Sequence, residues 1–196
     1  IVIGALNNWT SVSGGYNFFA AIKSNNTLWT CGYNGYGQLG NGTVTYYSSP
    51  IQVGALTNWK QVSCGTFHIA AVKTDGTLWT WGFNSNGDLG NNSAPSYSSP
   101  LQIGALTNWK QVSMGWHHGA AIKTDGTLWT WGMNTYGQLG NNSISTTSSP
   151  VLIGSLTNWK QVSVGWYMTA AIKNDGTLWT CGYNTCLLYT SPSPRD

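Results

Sequence analysis

The sequence predicts an all-β protein in which one antiparallel four-stranded unit is repeated along the chain. Three observations lead to this prediction: a regular repeat of fifty residues, short β-prone runs separated by turn signals, and no window with the apolar periodicity of a helix. The repeat has no insertion or deletion, and residues 51–100 and 101–150 are identical at 35 of 50 positions. Its most regular members are tryptophans, at Trp9, Trp59, Trp109 and Trp159 and at Trp29, Trp79, Trp129 and Trp179.

Each unit divides into four short strands separated by glycine- and asparagine-rich stretches. In the unit 101–150 the predicted strands are Leu101–Ile103, Trp109–Val112, Ala120–Lys123 and Thr127–Trp131. The clearest turn is Thr124-Asp125-Gly126, because Asp-Gly supplies the positive φ that a tight hairpin needs.

Units of this kind predict a β-propeller, in which each four-stranded sheet is a blade that packs its face on the next blade. Residues 1–185 hold 3.7 units of fifty residues, with boundaries at 1–50, 51–100, 101–150 and 151–185. An open arc of this size leaves two blade faces without a neighbour. We therefore expect a fragment of a larger ring whose missing blades come from its own chain, and we expect it to aggregate or self-associate when made alone.

One motif recurs in every unit. In the third unit it reads Trp129-Thr130-Trp131-Gly132-x-Asn134-x-x-Gly137-Gln138-Leu139-Gly140, followed by Pro150, Val162-Ser163-x-Gly165 and Ala170-Ala171. Over residues 1–185 this pattern resembles the regulator-of-chromosome-condensation repeat. The resemblance implies a β-propeller of seven blades that serves as a rigid interaction platform. The family's Gly-x-x-His position is kept at His68 and His118 but is occupied by Phe18 and Met168 in the other units.

The composition excludes several classes of protein. Eight Lys+Arg and five Asp+Glu give a net charge of +3, and only 7% of residues are charged, against roughly 25% in typical soluble domains. The lysines are spread thinly, so we expect no nucleic-acid partner. No apolar run approaches the length of a membrane span. An aromatic content of 13% excludes intrinsic disorder.

The chain has few groups for acid–base or metal chemistry. Three of the four aspartates before residue 186 occupy predicted hairpin turns: Asp75, Asp125 and Asp175. Asp88 stands alone in the position held by Gln38 and Gln138. The three histidines do not stand in register with thiols or carboxylates as a zinc site requires: His68, His117 and His118. We predict no enzymatic activity, no metal and no cofactor.

Candidate binding residues come from the positions at which the copies differ. Between the second and third units the substitutions cluster at 64–69 against 114–119, 83–88 against 133–138, and 94–97 against 144–147. A constant framework with variable segments is typical of a scaffold that carries its function on loops. The first cluster is rich in large side chains, which are common anchors of recognition surfaces. The predicted binding residues are Tyr16, Phe18, Phe67, His68, Trp116, His117, Trp166 and Tyr167. Packing between blades is the alternative interpretation of the same residues.

We therefore expect a non-enzymatic binding platform that recognises a protein or a glycan through variable aromatic loops on one propeller face. The alternative is a structural repeat segment of a virion fibre or cell-surface protein, which the near-identical copies and the Asn/Ser/Thr/Gly-rich surface suggest. The sequence leaves the location open and slightly favours the cell exterior or a virion surface.

The last eleven residues depart from the repeat. After Thr185 the chain continues Cys186-Leu-Leu-Tyr-Thr-Ser-Pro-Ser-Pro-Arg-Asp196 where the repeat calls for Tyr-Gly-Gln-Leu-Gly. A back-translation of this segment resembles the transposon-end adapter of shotgun sequencing libraries, so we interpret 186–196 as a non-native tail of a metagenomic reading frame. A short natural Pro/Ser-rich terminus is the alternative.

Overall fold

The computed structural model describes residues 8–183, which form β-strands and no helix. The strands of the first two sheets are β1 Trp9–Gly14, β2 Phe18–Lys23, β3 Leu28–Gly32, β4 Tyr47–Gln52, β5 Trp59–Cys64, β6 His68–Lys73, β7 Leu78–Gly82 and β8 Tyr97–Gln102. Those of the next two are β9 Trp109–Met114, β10 His118–Lys123, β11 Leu128–Gly132, β12 Thr147–Leu152, β13 Trp159–Val164, β14 Met168–Lys173 and β15 Leu178–Gly182. Across the described residues, no helix has the length and apolar character needed to cross a membrane.

The strands form four antiparallel sheets in simple sequence order. The sheets are β1-β2-β3-β4, β5-β6-β7-β8, β9-β10-β11-β12 and β13-β14-β15. The predicted all-β class and the four-stranded unit are therefore confirmed. The turn predicted at Asp125-Gly126 joins β10 to β11, and Gly126 has a φ of +80°. The predicted tail, 186–196, lies outside the described residues.

The sheets are shifted in phase relative to the sequence units. The strand predicted at Leu101–Ile103 is the end of β8, and Leu101 pairs with Thr80 of β7 in the preceding unit. The outermost strand of each complete sheet therefore straddles the boundary between two units and ends in the next one. Pro100 lies in this strand, where the missing N–H is tolerated because an edge strand needs few ladder bonds. A sequence repeat defines the length of the structural unit but not the residue at which each sheet begins.

Consecutive sheets stack face to face along their innermost strands. The side chain of Gln61 on β5 donates to the carbonyl of Val112 on β9 at 3.1 Å and accepts from the Val112 N–H at 3.1 Å. Ser63 Oγ accepts from the N–H of Met114 at 2.9 Å. The same pair of contacts joins β9 to β13 through Gln111. These bonds fix each sheet at a constant offset from its neighbour.

The cores lie between the sheets, and the two outermost faces are open. Trp131 is fully buried, and its Nε1 donates to the carbonyl of Asp88 in the preceding sheet at 2.9 Å. Val62 and Leu128 are buried in such interfaces. Their equivalents at the two ends are not: Val12 is 73% exposed and Leu178 is 66% exposed. The described residues form an open, partial β-propeller.

Candidate binding face

The variable segments of the repeat lie at one end of the sheets. The turns that join β1 to β2, β5 to β6 and β9 to β10 emerge at the same end as the long loops after β3, β7 and β11. All three clusters of substitutions between the second and third units fall in or beside these connections. Loops on a rigid scaffold are where proteins most often vary function.

This end carries a continuous group of aromatic rings, which we call the aromatic face. Its members are Tyr16, Tyr33, Tyr36, Tyr46, Phe67, Phe83, Trp116, His117, Tyr136, Trp166, Tyr167 and Tyr183. Each ring has its centroid within 6.2 Å of another member, mostly in tilted or edge-to-face geometry. Such geometry adds stability beyond the area that the rings bury. The face is also accessible, since Tyr16 is 66% and Trp166 is 71% exposed.

Six of the eight predicted binding residues belong to the aromatic face, and two do not. Phe18 and His68 are buried between sheets, at 5% and 0% exposure. They are the first residues of β2 and β6, where the chain turns back into the core. Their side chains cannot reach a partner, so the placement of these two residues in the binding set was wrong. The six that remain are Tyr16, Phe67, Trp116, His117, Trp166 and Tyr167.

Half of the aromatic face was not among the predicted residues. The missed rings come from the loops after β3, β7, β11 and β15: Tyr33, Tyr36, Tyr46, Phe83, Tyr136 and Tyr183. The signal was present, because the second cluster of substitutions contains the positions of Phe83 and Tyr136. What the sequence did not show is that these loops return to the same end as the β1–β2 turns.

A buried asparagine holds each of these loops in shape. The Nδ2 of Asn34 donates to the carbonyls of Thr43 and Thr45 at 3.0 and 2.9 Å, and its Oδ1 accepts from the N–H of Leu39 at 2.8 Å. Asn84 and Asn134 repeat the arrangement. Backbone groups that lack a ladder partner are satisfied in this way. The loops therefore present their rings from fixed positions.

The two ends of the sheets differ in charge. Every lysine in residues 8–183 lies at the end opposite the aromatic face, near the β2–β3 turns or the start of an innermost strand. Lys73 is buried there, with its Nζ 3.5 Å from the ring centroid of Trp79, and Lys123 repeats the contact on Trp129 at 3.6 Å. Burial lowers the pKa of both lysines. The aromatic face has no such cation.

One carboxylate does lie behind the aromatic face. Asp88 Oδ1 is 2.6 Å from Nδ1 of His117, and the Asp88 side chain is fully buried. The expectation that Asp88 stands alone was therefore wrong. The two residues are 29 positions apart in adjacent sheets, and only the stacking of the second sheet on the third brings them together.

The other two histidines are part of the sheet interfaces. Burial lowers the pKa of His68 and of His118 to about 4. The Nε2 atom of His118 lies 3.1 Å from Oγ1 of Thr169 in the next sheet. Within residues 8–183, no group of three or more His, Cys, Asp or Glu side chains is arranged to hold a metal ion.

Comparison with family models places the chain. The model described as the regulator of chromosome condensation (RCC1) repeat matches residues 25–72, 75–122 and 125–172, and a second model of the same repeat matches 9–38, 59–88, 109–138 and 159–186. The chain belongs to the RCC1 repeat family. No curated protein sequence matches it.

Solved RCC1-type structures share the fold. Human WBSCR16 is 23% identical with a TM-score of 0.80, over 89% of this chain and 47% of that one. Prp20p from Saccharomyces cerevisiae is 18% identical with a TM-score of 0.82, over 93% and 47%. A second structure of this yeast protein, RCC1 (Prp20) bound to Kap60, is 18% identical with a TM-score of 0.80, over 92% and 45%. The chain thus spans less than half the length of these neighbours, and identities this low show a common fold.

Proposed function

We propose that this RCC1-repeat chain is a non-enzymatic binding platform that recognises a protein through its aromatic face. The observation that carries the proposal is the continuity of that face. Its rings lie in contact on fixed loops, yet several remain largely open to solvent. Side chains whose purpose is to pack blades would be covered, as Phe18 and His68 are.

The composition of the face supports a protein partner. Tyrosine and tryptophan offer large contact areas with few rotatable bonds, and small polar residues offer adaptable hydrogen bonds, which is the composition of antibody binding sites. Here Tyr16 and Trp166 supply the rings, while Asn17, Ser85 and Asn86 lie in the same connections. Because the face has no lysine, its recognition depends little on electrostatic steering.

The neighbours with this fold also favour a protein partner. Yeast RCC1 was solved bound to Kap60, and Prp20p was described with its binding properties to Gsp1p and histones. Those partners belong to the neighbours and are not assigned to this chain. What is carried over is the use of an RCC1-type propeller as a platform for proteins.

The proposal is tested by selecting ligands with the protein itself. A phage-displayed library of random peptides is panned on the immobilised chain, and the triple variant Trp116→Ala/Trp166→Ala/Tyr167→Ala serves as the counter-target. We expect peptides that bind the wild-type protein and lose binding to the variant. The control Lys110→Ala, at the opposite end of the sheets, should bind like the wild type.

Two results would contradict the proposal. Equal enrichment on the wild type and the triple variant would place binding elsewhere. Capture of neutral oligosaccharides from a glycan array, with no enriched peptide, would assign the face to a glycan.

A further inference from the structure

Two departures from the repeat meet in space behind the aromatic face. Asp88 occupies the position of Gln38 and Gln138, and His117 occupies the position of Phe67 and Tyr167. The carboxylate and the imidazole are 2.6 Å apart, Oδ1 to Nδ1. Within residues 8–183 it is the one close contact between a carboxylate and a histidine, lysine or arginine side chain. Together the two substitutions make a contact that joins the second sheet to the third.

Asp88 retains the structural task of the glutamine it replaces. Gln38 Oε1 accepts from the backbone N–H of Tyr36 at 2.9 Å, and Asp88 Oδ2 accepts from the equivalent N–H of Asn86 at 2.9 Å. The second carboxylate oxygen is what the pair adds. It faces Nδ1 of His117 and is placed to accept a hydrogen bond from an Nδ1–H of the imidazole.

The carboxylate thereby fixes the imidazole. With the proton on Nδ1, the lone pair of Nε2 is left as an acceptor, which is how carboxylates orient histidines in many functional sites. The His117 side chain is 13% exposed, and its Nε2 is neither hydrogen-bonded nor among the buried unpaired atoms of the described chain. An oriented acceptor therefore reaches the surface.

His117 also occupies the centre of the aromatic face. Its ring centroid lies 5.5 Å from Phe83 on one side and 4.4 Å from Trp116 on the other. The other ring contacts of the aromatic face form two clusters, and His117 is the contact between them. The one imidazole of the set therefore lies where a bound segment would cross from one cluster to the other.

Resting on the proposed function, we propose that His117, oriented by Asp88, is the hydrogen-bonding anchor of the aromatic face. Its Nε2 accepts an O–H or N–H from a bound protein segment whose apolar groups lie on Phe83 and Trp116. Contacts with ring faces give affinity but little directional selectivity, and a fixed acceptor among the rings rejects a segment that has no donor at that point.

The anchor makes binding depend on pH in a defined direction. Protonation of His117 converts Nε2 from an acceptor to a donor, which then faces the donor of the bound segment. The charged or titratable groups around the imidazole are Asp88, His68 and His118. Because burial holds the pKa of His68 and His118 at about 4, both stay uncharged in mildly acidic solution. Protonation of His117 should therefore lower the affinity, with no contribution from His68 or His118 in mildly acidic solution.

The first test needs no partner. Nitrogen-15 NMR of the histidine rings reports which nitrogen carries the proton, and His117 is assigned by its loss in His117→Phe. At a pH of about 8, where an ordinary imidazole is neutral, we expect His117 to be the Nδ1–H tautomer in the wild type and to lose this preference in Asp88→Gln. An Nε2–H tautomer in the wild type would overturn the proposal whether or not any peptide binds.

The second test uses the peptides selected on the wild-type protein. The variants are supplied by the repeat itself: His117→Phe restores the residue at Phe67, and Asp88→Gln restores that at Gln38 and Gln138. We expect His117→Phe to weaken binding by about tenfold at neutral pH, the effect of an unmatched donor, and Asp88→Gln to weaken it less. Wild-type affinity should fall at the pH at which the NMR spectrum shows His117 to become protonated, while His117→Phe shows no such change.

The outcomes distinguish the role proposed for His117 from the binding function proposed for the aromatic face. If Trp116→Ala/Trp166→Ala/Tyr167→Ala abolishes binding but His117→Phe has wild-type affinity and pH profile, the anchor is overturned and the proposed function stands. If no peptide is selected at all, the proposed function fails, and the role of His117 in binding fails with it.

Discussion

At the scale of single residues, the buried histidines His68 and His118 make the stability of the protein depend on pH. Neither ring nitrogen of His68 has a hydrogen-bond partner in the described chain, and burial lowers the pKa of both residues to about 4. An unfolded histidine titrates near pH 6.5. Between these two values the unfolded chain takes up protons that the folded chain does not, so the free energy of unfolding decreases as the pH falls.

We predict that His68→Phe flattens this pH dependence. The equivalent position in the first sheet is Phe18, which is buried like His68, so the substitution suits the site. Lowering the pH from about 7.5 to about 5 should decrease the free energy of unfolding of the wild type by about 2 kcal/mol for each of the two histidines. In the variant only the decrease due to His118 should remain. Urea unfolding at both pH values measures the difference. Parallel pH curves for the two proteins would show that His68 is not held neutral.

At the scale of elements, the turn between the second and third strands of a sheet also contacts the next sheet along the chain. Gly126 has a φ of +80°, and a Cβ there would collide with the carbonyl of Thr157 in the next sheet. Gly176 has a φ of +85° but no atom near the same position. The carbonyl of Gly126 also accepts from the N–H of Trp159 at 3.1 Å. The first glycine therefore serves both the turn and the packing of sheets, and the second serves the turn.

We predict that Gly126→Ala destabilises the protein more than Gly176→Ala. Both variants force an alanine into positive φ, which costs about 1–2 kcal/mol. Only Gly126→Ala must also move the backbone of Thr157, and overpacking of this kind adds about 1–3 kcal/mol. The two free energies of unfolding in urea give the comparison. Equal losses would mean that the sheets are not packed through this turn.

The sequence predicted the turns and strands well, but it did not predict which sheet the strand at the unit boundary belongs to. Asp125-Gly126 was identified as a turn because its chemistry is local: the Asp125 Oδ1 accepts from Thr127 N at 3.0 Å and from Thr127 Oγ1 at 2.6 Å. The strand containing Leu101 was assigned to the wrong sheet because pairing with Thr80 is not local. A repeat looks the same wherever its unit is taken to begin.

At the scale of the whole molecule, the end sheets expose the surface that inner sheets bury. Leu178 is 66% exposed, whereas Leu128 in the same position of the third sheet is 4% exposed. Val12 is 73% exposed, whereas Val62 is buried. Within the chain, one face of each sheet packs on the opposite face of the next sheet. The two open end faces are therefore complementary, so the first sheet of one copy can pack on the last sheet of another.

We predict that the chain self-associates and that Leu178→Lys weakens the association without unfolding the protein. A charge on the open face opposes docking of a second copy, while Leu178 has little burial to lose. Leu128→Lys is the control and should unfold the chain, because it places the same charge in a closed interface. Sedimentation velocity measures the association. A monodisperse wild-type monomer would contradict the prediction.

The candidate site shows the same limit of prediction at this scale. Trp116 and Trp166 were recognised from their variability and type, and they lie in contact on the aromatic face. His68 was misplaced because one step along the strand moves a side chain from the loop into the core. The Asp88–His117 pair could not be predicted, since it exists only when the second and third sheets stack.

The central claim is that the aromatic face is a recognition surface and not a core, and the free energy of unfolding tests it most directly. The measurement compares Trp116→Ala/Trp166→Ala/Tyr167→Ala with the single variant Trp131→Ala, whose ring is fully buried between sheets. Trp131→Ala should cost about 3–5 kcal/mol, as removal of a buried aromatic does. The triple variant should cost less than that single change, since its three rings lie on the solvent-facing end of the sheets, where Trp166 is 71% exposed, and fill no closed interface. A triple variant that is as unstable as Trp131→Ala, or that does not fold, would show that these rings hold the propeller together.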